Sequence, residues 1–213
     1  MRTVLCFGDS NTWGLDPATG ERFPREVRWP GVVARELGPH ATVVEEGLPG
    51  RTAAVLDPAW PHYTGLPYLR PALESHAPLD AVAIMLGTND VQEPYRRSAA
   101  GIASDIAGLA EIVLRSACGP ENGVTHVLLV APPPLGKLRD AMSEASYGPG
   151  AESSRRLGEL LSAVADGAGL GFLDAGIVTS FSEADGFHLD ASGHEALGRA
   201  VAGALRAGLA EGG

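Results

Sequence analysis

Three short polar segments, each following an apolar run, hold residue types suited to acyl-group chemistry. The first is Gly8-Asp9-Ser10-Asn11-Thr12. A serine hydroxyl becomes a nucleophile only when a base removes its proton. Taken alone, this tip also fits an Asp/Ser turn or a helix cap. Six histidines are available as the base: His40, His62, His76, His126, His188 and His194. His188 stands apart because Asp185 precedes it by three residues, in Asp185-Gly186-Phe187-His188. That spacing lets the carboxylate accept the imidazole Nδ1–H and leaves Nε2 to face a hydroxyl. His194 is the alternative base, although it falls within the last expected helix. Gly87-Thr88-Asn89-Asp90 offers an amide NH₂ able to donate to a developing oxyanion, or else a plain Asn-Asp turn. Glu45-Glu46-Gly47-Leu48-Pro49-Gly50-Arg51-Thr52 contributes glycines that let a backbone N–H approach a ligand. Glu45 and Glu46 invite comparison with a paired-carboxylate glycosidase. Adjacent strand residues point to opposite faces, so the pair is read as structural. Trp13, Leu15, Leu48 and Pro49 flank these tips, with Trp60 further along the same loop. They either line a site mouth or pack the loops.

The elements that must carry these tips are legible as alternating patterns. Apolar runs at 3–7, 41–46, 80–86, 124–131 and 170–174 read as strands. Helices are expected at 28–37, 68–76, 99–117 and 151–168, with a last one capped by Asp190. Residues 47–67 read as a long Gly/Pro-rich loop and 135–150 as an irregular one. The Gly-Gly end is expected to fray. Five apolar strands alternating with helices predict a parallel sheet covered on both faces. The expected fold is therefore α/β: a flavodoxin-like three-layer α/β/α sandwich with a five-stranded parallel sheet, order 2-1-3-4-5. Strands 1 and 3 then flank the switch point, where such sheets place their sites. The three tips fall there together, and the Asp185–His188 segment follows strand 5 on the same edge.

Composition narrows the function classes. A chain of 213 residues fits one domain, 1–213, able to bury a core without staples. A net charge of -10 with no basic stripe argues against nucleic acid. Cys6 and Cys118 sit in apolar runs and read as buried free thiols. No apolar run reaches about 18 residues, so no membrane span is expected. The opening MRTVLCFGDS lacks a long apolar segment before a small-residue cleavage site, which predicts a cytoplasmic protein. No metal site is expected, since Asp185 and His188 have no Cys or further His at ligand spacing.

Taken together, these residues resemble the SGNH, or GDSL-type, hydrolase superfamily. Gly8-Asp9-Ser10-Asn11 is similar to its first block, with the nucleophile at Ser10. Gly50, with Gly47 as the alternative, matches the glycine of the second block. Gly87-Thr88-Asn89-Asp90 resembles the third block, with the oxyanion asparagine at Asn89. Asp185-Gly186-Phe187-His188 resembles the D-x-x-H block. Asn11 stands where the family's name-giving leucine would sit, a position that makes no bond in the reaction. Val27–Gly38, Glu45–Thr52, Pro78–Asp90, the triple proline 132–134 and Phe172–Gly176 extend the resemblance to the bacterial arylesterase, or acyltransferase/perhydrolase, branch.

The resemblance implies cleavage of short-chain or aryl esters, acyl transfer to alcohols or peroxide, no cofactor, a small-molecule ester as partner, and homo-oligomers. The oxyanion hole would comprise Ser10, Gly50 and Asn89, with Trp13, Leu48 and Pro49 against the substrate. A deacetylase or thioesterase using the same triad is one alternative. A flavodoxin-like nucleotide-binding module is another, disfavoured because neither G-x-G-x-x-G nor G-x-x-x-x-G-K-[ST] occurs.

Overall fold

The computed structural model describes residues 1–211, and the Gly-Gly end expected to fray lies outside them. Strands β1 (Arg2–Gly8), β2 (Ala41–Gly47), β3 (Ala81–Met85), β4 (His126–Ala131) and β5 (Gly171–Asp174) form one sheet in the order β2-β1-β3-β4-β5. Every neighbouring pair is parallel. The helices are α1 (Ser10–Trp13), α2 (Trp29–Leu37), α3 (Gly65–His76), α4 (Ala99–Leu114), α5 (Ala141–Tyr147), α6 (Ala151–Ala168), α7 (Ala175–Val178) and α8 (Ala191–Glu211).

The strands are apolar throughout because both faces are covered. Leu5, Phe7, Val82 and Ile84 face one layer, where α3 brings Leu69 and Leu73, α4 brings Ile102, Ile106 and Leu109, and α6 brings Leu157 and Leu161. Val4, Cys6, Ala83 and Met85 face the other layer, against Trp29 and Val33 of α2 and Leu197, Val201 and Leu205 of α8. Alternation of side chains along each strand sends neighbours to opposite cores. Cys6 and Cys118 are buried free thiols. Among the described residues no helix is long and apolar enough to cross a membrane.

The strands keep their expected places to within two residues, and the helices differ more from the sequence reading. The 135–150 segment is not irregular throughout: it contains α5. Asp140 caps that helix, its Oδ1 accepting from the Met142 and Ser143 N–H groups at 2.9 Å each. No residue of α5 is fully buried, so no apolar stripe announced it. Helix α3 starts at Gly65, within the expected loop, and α4 ends at Leu114 rather than 117. Ala117 adopts φ 54°, which a helix does not accommodate.

Helix α8 begins as expected at Asp190, whose Oδ1 accepts the Gly193 N–H at 2.8 Å. Its His194 is wholly buried, and Nδ1 accepts the Trp29 N–H at 3.3 Å. The Phe23 ring meets it edge-on at 5.4 Å. Tied to α2 in this way, His194 is a packing residue. Burial is the main cause that lowers its pKa to about 4. A histidine depressed on folding contributes stability above its unfolded value of about 6.5, lost as pH falls toward the folded value. His194 therefore contributes a loss of stability between about pH 6.5 and 4, up to about 3 kcal/mol, opposed by the buried carboxyls of Asp9 and Asp90, whose raised pKa values favour the folded state as pH falls. Denaturant titrations of the wild type and His194→Gln should differ by that loss over this range, and identical pH profiles would give His194 no part in it.

Candidate active site

Helix α1 opens directly after β1. Asp9 caps it, with Oδ1 accepting the Asn11 N–H at 2.9 Å, and this turn presents Ser10 at the carboxyl edge of the sheet. His188 arrives from the loop between α7 and α8. His188 Nε2 lies 2.9 Å from Ser10 Oγ, and Nδ1 lies 2.6 Å from Asp185 Oδ2. Asp185 Oδ1 also accepts the N–H groups of Phe187 and His188 at 3.0 Å each. Burial would raise the Asp185 carboxyl, but the hydrogen bonds from His188 and Phe187 outweigh it and hold the group below its ordinary range. An ionised, oriented carboxylate thus stands behind an imidazole whose other nitrogen meets the hydroxyl.

The loop needs its glycine. Gly186 has φ 89°, and a Cβ there would come within 2.6 Å of the Lys137 carbonyl oxygen. Gly47 answers a different need. A Cβ there would fall 2.1 Å from the Trp13 nitrogen, so Gly47 lets α1 cross the end of β2. That crossing explains Gly47 without an oxyanion role.

The second and third tips meet through backbone. Asn89 Nδ2 donates to the Arg51 carbonyl at 3.1 Å, and Asp90 Oδ1 accepts the Ala53 N–H at 2.9 Å. Gly50 immediately precedes Arg51 in the chain. Among the described residues neither the Ser10 N–H nor the Gly50 N–H has an acceptor. The Arg51 guanidinium, 3% exposed, donates from Nη1 to the carbonyls of Gly8 at 2.9 Å and of Glu46. It lies over the rings of Phe7 at 4.3 Å and Tyr68 at 5.1 Å. This buried cation bolts the β1 tip to the β2 tip. Burial raises the pKa of the two carboxylates beneath the tips, Asp9 to about 6 and Asp90 to about 7.

Of the expected substrate contacts, Trp13, Leu48 and Pro49 are half-buried around these strand ends. Leu48 donates its N–H to Gly8 O at 3.1 Å. The Arg22 guanidinium covers the Trp13 ring at 5.0 Å. Trp60 is 54% exposed and stacks on Tyr63, further out on the loop. Glu45 and Glu46 diverge, Glu45 to Arg28 at 2.9 Å and Glu46 to Tyr68 at 3.0 Å and His76 at 2.9 Å. Among the described residues no group of three or more His, Cys, Asp or Glu is placed to hold a metal ion.

Residues 6–196 match the GDSL-like Lipase/Acylhydrolase family. The chain belongs to that family. The matched range takes in all four segments, from Ser10 to His188. A carbohydrate acetylesterase from Sinorhizobium meliloti is 41% identical, with 97% of this chain and 99% of that one covered and a TM-score of 0.94. The aryl esterase of M. smegmatis is 39% identical, covering 98% and 100%, with a TM-score of 0.93. The lipase/acylhydrolase from Enterococcus faecalis, at 21% identity over 97% and 96% with a TM-score of 0.69, shares the fold. No curated protein matches the chain.

One residue at the site escaped the sequence reading. Asn11 is 1% exposed; its Nδ2 donates to Phe187 O at 3.1 Å and its Oδ1 accepts the Leu189 N–H at 2.9 Å. It grips the backbone on both sides of His188. The signal was a polar residue directly after Ser10, in a position expected to be leucine. Asn11→Leu leaves two buried backbone groups unpaired, at about 1–3 kcal/mol each. It should lower both Tm and the fluorophosphonate labelling rate of Ser10. Unchanged labelling in a folded Asn11→Leu variant would show that the base loop holds itself.

Proposed function

We propose that this protein is a serine carboxylic-ester hydrolase acting on short-chain or aryl esters through an acyl-enzyme. The observation that carries this reading is the placing of His188, 2.9 Å from Ser10 Oγ on one side and 2.6 Å from Asp185 on the other. His188 takes the Ser10 proton as Oγ attacks the ester carbonyl. Asp185, held ionised, stabilises the imidazolium that forms. The N–H groups of Ser10 and Gly50 and the Asn89 amide receive the oxyanion, whose charge exists only in the transition state and intermediate. Collapse expels the alcohol with a proton from His188. Water, activated by the same imidazole, then releases the acid. Every step uses a proton held at a named atom of this chain.

A small-molecule ester is the partner this site calls for. Activity of the 41%-identical relative on carbohydrate acetates favours a second substrate class, acetylated sugars, for the same triad. Hydrolysis of an aryl acetate measured against an acetylated sugar separates the two. The mechanism is tested by mass spectrometry after fluorophosphonate treatment. One adduct should map to Ser10, and Ser10→Ala should lose both label and turnover while keeping its fold. An adduct on any other serine overturns the mechanism.

Acyl transfer is the further part of this reading. Trp13, Leu48 and Pro49 give the site an apolar margin able to seat an alcohol near the acyl carbon. Positioned reactants gain several kcal/mol over free ones, enough to compete with bulk water. With a vinyl acetate and a modest amount of a primary alcohol, the ratio of new ester to acid should exceed the bulk ratio corrected for nucleophilicity. Substituting Trp13→Ser or Leu48→Ser should shift the ratio toward acid while Ser10 still labels. A ratio equal to the corrected bulk value would leave a plain hydrolase.

A further inference from the structure

Helix α5 ends in a side chain that touches both halves of the site. Tyr147 donates its phenol O–H to Asn89 Oδ1 at 3.0 Å, and its ring stacks on Phe187 at 4.5 Å and 19°. Phe187 immediately precedes His188. Next to it, Ser146 Oγ donates to Gln92 Oε1 at 3.0 Å, and Gln92 Nε2 donates to the same Asn89 Oδ1 at 3.2 Å. The Asn89 amide is therefore held from three sides. The Arg51 carbonyl, which can only accept, takes one N–H at 3.1 Å, and the phenol and Gln92 supply the oxygen. One N–H of Asn89 is left for the site.

We propose that Tyr147 is a positioning residue: its hydroxyl, bonded to Asn89 Oδ1, holds and polarises the amide that receives the oxyanion. This rests on the oxyanion role given to Asn89 above. An amide oxygen that accepts two hydrogen bonds makes its N–H groups stronger donors. The effect grows as negative charge develops on the substrate oxygen, so it belongs to kcat and not to ground-state binding. Burial, with smaller contributions from Asp9, Tyr95 and Asp185, raises the phenol well above its ordinary value. Tyr147 thus remains a donor at every pH where His188 can act as base. No proton leaves it. The Tyr147 ring packs against the core on this side of the sheet, which accounts for the ring, while the hydroxyl bond to Asn89 is a separate contact.

The test is a double-mutant cycle on the full chain with an aryl acetate. Tyr147→Phe keeps the ring stacked on Phe187 and removes only the hydroxyl. It should lower kcat about three- to tenfold, the scale of one net hydrogen bond, with KM unchanged. Asn89→Ala should lower kcat by about 10²–10³. In the Asn89→Ala background, Tyr147→Phe should change kcat by less than twofold, because the amide it acts through is gone. Tyr147→Leu should lose Tm as well as kcat, and Phe at the position should restore Tm without restoring kcat. The proposal is overturned if Tyr147→Phe keeps full kcat, if its effect falls on KM, or if the loss persists undiminished without Asn89. An Asn89→Ala variant with normal kcat would instead overturn the oxyanion role itself, whatever Tyr147 does.

Discussion

The site depends on one hydrogen bond between side chains 178 residues apart, His188 Nε2 to Ser10 Oγ at 2.9 Å. Neither partner can be placed by its own segment. Ser10 is set by the end of β1 and the Asp9 cap, and His188 by a loop that must land within a few tenths of an ångström. Imidazole accepts a proton usefully only at that separation and orientation. Much of the surrounding polar structure serves that landing. Asp185 fixes the ring from behind through Nδ1 and fixes its own loop through two backbone N–H groups. Asn11, on the helix that carries the proposed nucleophile, fixes the same loop from the front. Ser10 and His188 are thereby registered against each other by backbone bonds as well as by their own contact.

The sheet supplies the frame. In the order β2-β1-β3-β4-β5 the chain leaves β1 toward opposite sides, and the tips after β1, β2 and β3 come together at that reversal. Loops at a sheet edge have few apolar anchors, so they must be held by polar groups, and buried polar groups must be paired. Arg51 meets both demands. Its guanidinium satisfies the carbonyls of Gly8 and Glu46 against two aromatic rings, while its own carbonyl receives the Asn89 amide. A single residue thus joins three strand ends. The two buried carboxylates, Asp9 and Asp90, do related work, each accepting a backbone N–H from a tip segment.

The elements with strong periodicity were legible because burial on two faces leaves no alternative residue types. The five strands, the long helices α4 and α6 and the Asp190 cap of α8 follow from apolar spacing and capping chemistry. Helix α5 does not, because none of its residues is fully buried and its anchor to the core is the partly buried Tyr147; its start is decided by Asp140, and a single anchor produces no repeat. The early start of α3 at Gly65 is hidden by the Gly/Pro-rich stretch around it. The Asp185/His188 pair was legible because both ends of the bond sit within one turn of chain. The steric need for glycine at 47 was legible only in space, since it comes from the passage of α1 across β2.

The sequence by itself determined the residue types and the local geometry: an Asp-capped serine after a strand, a histidine three residues from its carboxylate, an asparagine in a glycine-bounded tip. These are short-range facts, fixed by φ/ψ limits and side-chain reach over a few residues. The tertiary structure decided which of them meet. It put His188 on Ser10 and tied His194 to Trp29. It also turned Asn11 onto the base loop, drove Arg51 under three strand ends, and laid Tyr147 against Asn89. Apart from the bond of Arg51 to Glu46, such contacts span 38 to 178 residues. They arise because burying both faces of one twisted sheet forces distant polar tips to one edge, where each must find a partner in the others or remain unpaired.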